Sequence, residues 1–218
     1  GANSPTMLES WTNEPKLSFS RVSSLAWIPG NGRLACAVEH LVDNKASVRL
    51  FSLDPQNKSS TNSLDLNGWD SLVDLRRGGS GTMGLLALGT KNKSGVCRSV
   101  DLDLMVSSNE FSMVGITRPE TLAVVNGRVL IAGQTGAKSK IESYAAGKLV
   151  ASKSMDDGFI ITQMVESGGR AFLTGRSSTG SGLEDFFLHC LQVDGSQLKE
   201  SWSVLTKDLE TSIEIGTS

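Results

Sequence analysis

The sequence predicts an all-β fold: a β-propeller, or part of one, made of about four blades that are each a four-stranded antiparallel sheet. Three observations carry this. Four times an apolar, strand-like run climbs to a small residue and breaks into a polar loop: Leu34 to Ala37, Leu85 to Gly89, Val129 to Gly133 and Ala171 to Gly175. Each run has one apolar stretch before it and others after it, and the small residues recur at intervals of about 52, 44 and 42 residues, close to the roughly 40 to 50 of a propeller repeat. Sustained helical periodicity is missing, while glycine, at 23 residues against 5 prolines, sits between apolar runs where turns call for positive φ. A β-sandwich would show similar turn signals without a four-strand super-period.

The first unit, 21–66, shows the pattern best. Val22 to Ile28 is a short apolar strand, Pro29-Gly30-Asn31-Gly32 a tight turn, Arg33 to Leu41 a second strand and Ala46 to Leu53 a third. In that third strand Val48, Leu50 and Ser52 face one way and Arg49, Phe51 and Leu53 the other. Apolar side chains on both faces place the strand inside a stack of sheets. Ser63 to Leu66 supplies a weaker fourth strand, fitting an outer edge. The second unit, 70–115, repeats this with Ser71 to Leu75, Gly84 to Gly89, Gly95 to Leu102 and Glu110 to Val114. In the third, 120–154, Thr121 to Val125 is joined to Arg128 to Gly133 by Asn126-Gly127, the signal of a two-residue hairpin turn, and Lys140 to Tyr144 and Lys148 to Ser152 follow. The fourth, 158–205, runs Phe159 to Val165, Arg170 to Gly175, Phe186 to Val193 and Gln197 to Val204. Residues 1–15 read as a loose tail or an appended remnant, and 16–216 as one propeller-like domain.

The first unit resembles a blade of the WD40 repeat family. Val22-Ser23-Ser24-Leu25-Ala26-Trp27-Ile28-Pro29 is similar to its innermost strand and exit turn, and Arg33-Leu34-Ala35-Cys36-Ala37 to its second strand. Ser47-Val48-Arg49-Leu50-Phe51-Ser52-Leu53-Asp54 resembles its third, with Phe51-Ser52 where the family has Trp-Asp. Later units keep the strand rhythm without the signature, and no Gly-His dipeptide occurs. The resemblance implies a platform for protein–protein interaction, a scaffold or complex subunit without catalysis.

A seven-bladed ring would need about 300 residues at this repeat length, more than the 218 present. Lys16 to Ser20 and Glu210 to Ile215 also read as single strands outside the four units. The expectation is therefore a section of a larger ring or a ring finished by a second chain, with a closed four-bladed ring as the alternative. An open array would leave two apolar blade faces in need of a partner.

Composition excludes some functions. With 39% hydrophobic and 20% charged residues the chain reads as globular, and no apolar run approaches the roughly 18 residues of a membrane-spanning helix. A net charge of -2, a single tyrosine and no basic stretch interleaved with aromatic rings give no pull towards nucleic acid or acidic membranes. Cys36, Cys97 and Cys190 fall inside apolar runs without any C-x-x-C pair, which points to a reduced, intracellular setting, cytoplasmic or nuclear.

No motif for catalysis emerges, and no cofactor or metal is expected. Gly79-Ser80-Gly81-Thr82-Met83-Gly84 matches the letters of G-x-G-x-x-G but leads into a strand, so it reads as a turn. His40 and His189 lie in different units without ligand spacing. Asp65, Asp70, Asp74, Asp101, Asp103, Asp156 and Asp157 are turn residues first; the alternative is a propeller hydrolase or glycan-active protein with acids converging at the central mouth. The loops between second and third strands are mildly basic, with Lys45, Lys91, Lys93, Lys138 and Arg176 and, at the edge, Lys140, against Asp43, Glu184 and Asp185. They are the candidate surface for a protein partner such as an acidic or phosphorylated peptide.

Overall fold

The computed structural model describes residues 18–28, 32–42, 45–56, 59–78, 84–102, 106–107, 110–178 and 184–205. These form four antiparallel sheets, each paired in chain order. Blade 1 is β1 (Ser18–Ile28), β2 (Arg33–Val42), β3 (Lys45–Asp54) and β4 (Ser59–Leu66). Blade 2 is β5 (Ser71–Arg77), β6 (Leu85–Lys91) and β7 (Ser94–Asp101), its fourth position divided between β8 (Val106–Ser107) and β9 (Phe111–Ser112), which both pair with β7. Blade 3 is β10 (Arg118–Val125), β11 (Arg128–Thr135), β12 (Lys138–Ala145) and β13 (Lys148–Ser154). Blade 4 is β14 (Phe159–Ser167), β15 (Arg170–Ser178), β16 (Glu184–Asp194) and β17 (Gln197–Leu205).

The first strands are innermost: β1 packs on β5, β5 on β10 and β10 on β14. Among the described residues β14 does not pack back on β1 in this way, and the four described blades form an open row. Two strand expectations change. Ser18 to Ser20 belong to β1 instead of forming a separate strand, while 16–17 and Glu210 to Ile215 lie outside the described residues. The fourth strand expected over Glu110 to Val114 is shortened to β9, and β8 pairs with β7 further along; Phe111 of β9 packs 4.8 Å from the Tyr144 ring of blade 3, measured between centroids.

The core lies between blades, as apolar residues on both sheet faces require. Ala35, Ala37, Val48, Leu50 and Leu66 of blade 1 meet Leu72, Leu75, Leu85 and Ala87 of blade 2. Leu88 and Cys97 of blade 2 meet Leu122, Ile131 and Tyr144 of blade 3. Leu130, Ala132 and Ile141 of blade 3 meet Ile161, Met164, Leu173 and Phe187 of blade 4. On the opposite face of blade 1, Cys36, Val38 and Phe51 form a buried cluster of their own. The Asn126-Gly127 turn has positive φ at both residues, 51° and 74°, as a type I′ hairpin demands, and Asn92-Lys93 repeats it at 51° and 63°.

Every innermost strand carries a bulge at the same place: between Val22 and Ser24, Leu72 and Asp74, Pro119 and Thr121, and Ile161 and Gln163. Directly before the bulge the partner on the second strand is Gly89, Gly133 or Gly175. A Cβ there would lie 2.2 Å from the Ser71 carbonyl oxygen, 2.4 Å from that of Arg118 or 2.0 Å from that of Ile160. The small residue of each repeat is thus a steric requirement of the bulged inner strand. Blade 1 departs from this: Val38 stands opposite Val22, and Ala37 is one place away, opposite Ser24.

Candidate functional site

The inner strands of neighbouring blades are not paired with one another, so amides on their open edges need other acceptors. Side chains supply them. Glu39 Oε1 accepts the Leu72 amide at 2.9 Å. Asp74 Oδ2 accepts both the Leu122 amide and the Thr121 hydroxyl at 3.1 Å, and its carboxylate also takes the Leu75 amide at 2.9 Å and Arg76 Nε at 3.0 Å. Thr121 Oγ1 in turn accepts the Met164 amide at 3.3 Å, and Ser139 Oγ the Ile161 amide at the same distance. Asp74 and Thr121 occupy equivalent places, each just after its strand's bulge.

The six cations singled out as a rim lie at one edge of the row, at or near the turns between second and third strands, and most are engaged. Lys91 Nζ contacts Glu110 Oε1 at 3.0 Å, and Lys138 Nζ contacts Asp157 Oδ1 at 3.0 Å. Lys140 Nζ lies 2.9 Å from Oε1 of the fully buried Glu142, whose other oxygen accepts the Tyr144 hydroxyl. The Lys93 amide donates to Asp70 Oδ2 at 3.0 Å, leaving its side chain exposed. Lys45 opens β3 and is exposed, while Arg176 lies within β15, opposite Phe186. Glu110, Asp157 and Glu142 therefore offset the charge of three of these six cations.

Glu110 is the most connected of these acids. It accepts Trp69 Nε1 at 2.8 Å, Lys91 Nζ at 3.0 Å and Arg98 Nη2 at 2.8 Å. Partial burial pushes its pKa up, but the Trp69 and Lys91 hydrogen bonds and the Arg98 charge outweigh that and leave it below the ordinary value of 4.5.

The other expected acids stand apart. Asp65 pairs with Arg49 at 2.6 Å on the outer strands of blade 1. Asp70 and Asp157 serve the Lys93 amide and Lys138, Asp101 ends β7, and Asp103 lies outside the described residues, as does the turn 79–83 of the G-x-G-x-x-G match. The cavity along the inner strands, about 710 Å³, is lined by Leu122 and Val124 of β10, Met164 and Val165 of β14 and Arg76 and Arg77 of β5, and among its described lining residues Glu166 is the acid. His40 is buried on β2, and His189 stands edge-on to Phe159 and Phe187 with Nδ1 3.4 Å from Glu200 Oε2. Among the described residues no group of three or more His, Cys, Asp or Glu side chains is placed to hold a metal, and no helix is long and apolar enough to cross a membrane.

The two ends of the row differ. On blade 1 the outward residues Cys36, Val38 and Phe51 are buried. On blade 4 the outward face holds Phe186, 65% exposed, and Trp202, 40% exposed, which packs against Phe172 at 6.1 Å between centroids. Neither aromatic was singled out from the sequence. The signal was the alternation of β16, where Phe187, His189 and Leu191 face blade 3 and so turn Phe186, Leu188 and Cys190 outward.

Comparison with protein-family models and with curated proteins gives no match. Solved structures are similar in fold. Hydrazine synthase of Kuenenia stuttgartiensis matches with a TM-score of 0.60 at 9% identity, over 82% of this chain and 65% of that one. The β-propeller domain of the trilobed protease from Pyrococcus furiosus, described as having an open velcro topology, matches with a TM-score of 0.57 at 10% identity, over 86% and 58%. The chain thus spans less than two thirds of the length of each.

Proposed function

We propose that the protein is a non-catalytic interaction scaffold of WD40-like type, a subunit or segment of a larger intracellular assembly. The observation that carries this reading is the outward face of blade 4, where Phe172, Phe186, Leu188 and Trp202 cluster on the side turned away from blade 3. Exposed aromatics grouped on one sheet face are the usual anchors of protein interfaces. The rim of Lys45, Lys91, Lys93, Lys138, Lys140 and Arg176 is the second contact surface, suited to an acidic or phosphorylated peptide but tempered by Glu110 and Asp157. Three free, buried cysteines accord with a reducing compartment. The test is affinity capture from native extract with the wild-type chain, the pair Phe186→Ser with Trp202→Ser, and a triple neutralisation of Lys91, Lys93 and Lys138. A specific partner should be lost with the aromatic pair and weakened, with a shallower salt dependence, by the triple variant. Capture unaffected by either set overturns the reading.

A further inference from the structure

The cavity along the inner strands lies towards the edge of the row opposite the lysine rim, where β5 ends and the β10–β11 and β14–β15 turns meet. Its cationic lining is Arg76 and Arg77. Asp74 is buried and held by the Leu75 and Leu122 amides and the Thr121 hydroxyl, and it ties Arg76 through Nε alone, at 3.0 and 3.1 Å to its two oxygens. The guanidinium is thereby oriented, while among the described residues its terminal Nη groups donate to nothing. Arg77 is exposed, and among the described residues it forms no ion pair. Much of the remaining lining is apolar: Leu122 and Met164 are sealed at 0–1% exposed, Val124 is half-buried and Val165 is 44% exposed. At the mouth Asn126 Nδ2 donates to the Gly169 carbonyl oxygen at 3.3 Å and the Gly169 amide to Glu166 Oε1 at 3.0 Å, so the turns of blades 3 and 4 are tied together and one oxygen of the acid is engaged.

We propose that this cavity is a binding site for a small organic anion, a carboxylate or phosphate group carried on an apolar body. The donor chemistry decides the class of ligand. A guanidinium presents N–H donors in a planar fork and accepts nothing, so its complement is an acceptor-rich anion, and two such groups on consecutive residues suit the oxygens of one carboxylate or phosphate. Asp74 is the positioning residue: it occupies Nε and so leaves the Nη side of Arg76 for the ligand, while Arg77 supplies the uncompensated charge. Val124, Met164 and Val165 receive the apolar body, and about 710 Å³ falls within the roughly 300–1,000 Å³ of small-molecule sites. Glu166 opposes an anion and limits its affinity. The site lies on blades 2, 3 and 4 alone, so it does not depend on what packs against the outward faces of blades 1 and 4, and it shares no residue with either partner surface proposed above.

The experiment is a titration of the isotope-labelled full chain with hexanoate, with hexyl phosphate and with uncharged hexanol, followed through the amide resonances by NMR. At least one of the anions should bind about tenfold or more tightly than hexanol, more weakly as salt is added, and should shift the amides of Gly127, Val165 and Gly169; the tighter of the two identifies the headgroup as carboxylate or phosphate. Arg77→Gln should weaken the anion by about tenfold without moving hexanol. Val165→Ser should weaken anion and alcohol alike, and Glu166→Gln, which removes a like charge, should tighten the anion. Neutralising Lys91, Lys93 and Lys138, or replacing Phe186 and Trp202 by serine, should leave the titration unchanged, so this site and the partner surfaces read out separately. Anions that bind no more tightly than hexanol, that shift the lysine rim instead of the cavity, or that are indifferent to Arg77→Gln overturn the proposal.

Discussion

The steric reading of the repeat marker is tested most sharply by Gly175→Ala. The new Cβ would stand 2.0 Å from the Ile160 carbonyl oxygen and 2.7 Å from two carbons of the Phe187 ring. Neither neighbour can retreat freely. The amide of Ile161 is tied to Ser139 Oγ at 3.3 Å, and the Phe187 ring is packed against Phe159 and His189 at 5.1 Å and 4.9 Å between centroids. The strand must therefore shift by about 1 Å to restore an ordinary contact, an overpacking that costs about 1–3 kcal/mol or somewhat more. Lower unfolded-state entropy of alanine returns about 0.4–1 kcal/mol, for a net loss of about 1–2 kcal/mol. That should appear as a lower denaturant midpoint with unchanged slope and a melting temperature lower by about 2–8 °C for a chain of this size. Gly84→Ala is the internal control, since its Cβ would meet nothing nearer than 3.3 Å. If Gly175→Ala is as stable as wild type, or loses no more than Gly84→Ala, the glycines are not steric markers and the explanation of the repeat fails.

Two further outcomes follow from the chemistry of single side chains. Glu110→Gln should destabilise the protein at pH 7 by about 1–2 kcal/mol, because it weakens the contacts to Trp69, Lys91 and Arg98. The folded-state pKa of Glu110 is depressed, so its contribution is complete above 4.5 and is lost as pH falls through the folded value; denaturation at stepped pH should show the gap between variant and wild type closing below pH 4.5. Burial pushes the Cys36 thiol to about 11 and the Cys97 thiol to about 12, so a thiol reagent at pH 8 should leave both unmodified in the native protein and label them after denaturation. Rapid native labelling of either would contradict the packing of blades 1 and 2.

Much of the fold was legible because it depends on local rules. The Asn126-Gly127 turn, the two apolar faces of β3 and the recurring glycines of β6, β11 and β15 each follow from backbone geometry or strand alternation within a few residues, although the strands run two or three residues past those glycines instead of ending at them. The functional surface was not legible to the same degree, because charge in sequence says nothing of the partner. Lys91 read as a free rim cation, yet Glu110, 19 residues on, takes its charge. Lys140 read as a rim edge, yet it stands against a buried Glu142. The packing of Phe111 on Tyr144 of the next blade was hidden for the same reason.

The blade junctions explain how a propeller persists here without a repeated polar signature. What each junction needs is an acceptor for an amide left open on the next inner strand, and several side chains meet that need. Glu39 does so from β2, Asp74 with a charge from β5, Thr121 with a hydroxyl from β10 and Ser139 from β12. Asp74 is held by four donors, so its charge is compensated inside the junction; Thr121 carries no charge to compensate and relays Asp74 to Met164 instead. Such a site requires hydrogen-bonding capacity at a fixed register, not one residue type. The glycine before the bulge in blades 2, 3 and 4 is different, because a Cβ there would run into the crossing carbonyl. That asymmetry is why the repeat shows itself as a recurring small residue while the ties between blades vary from one junction to the next.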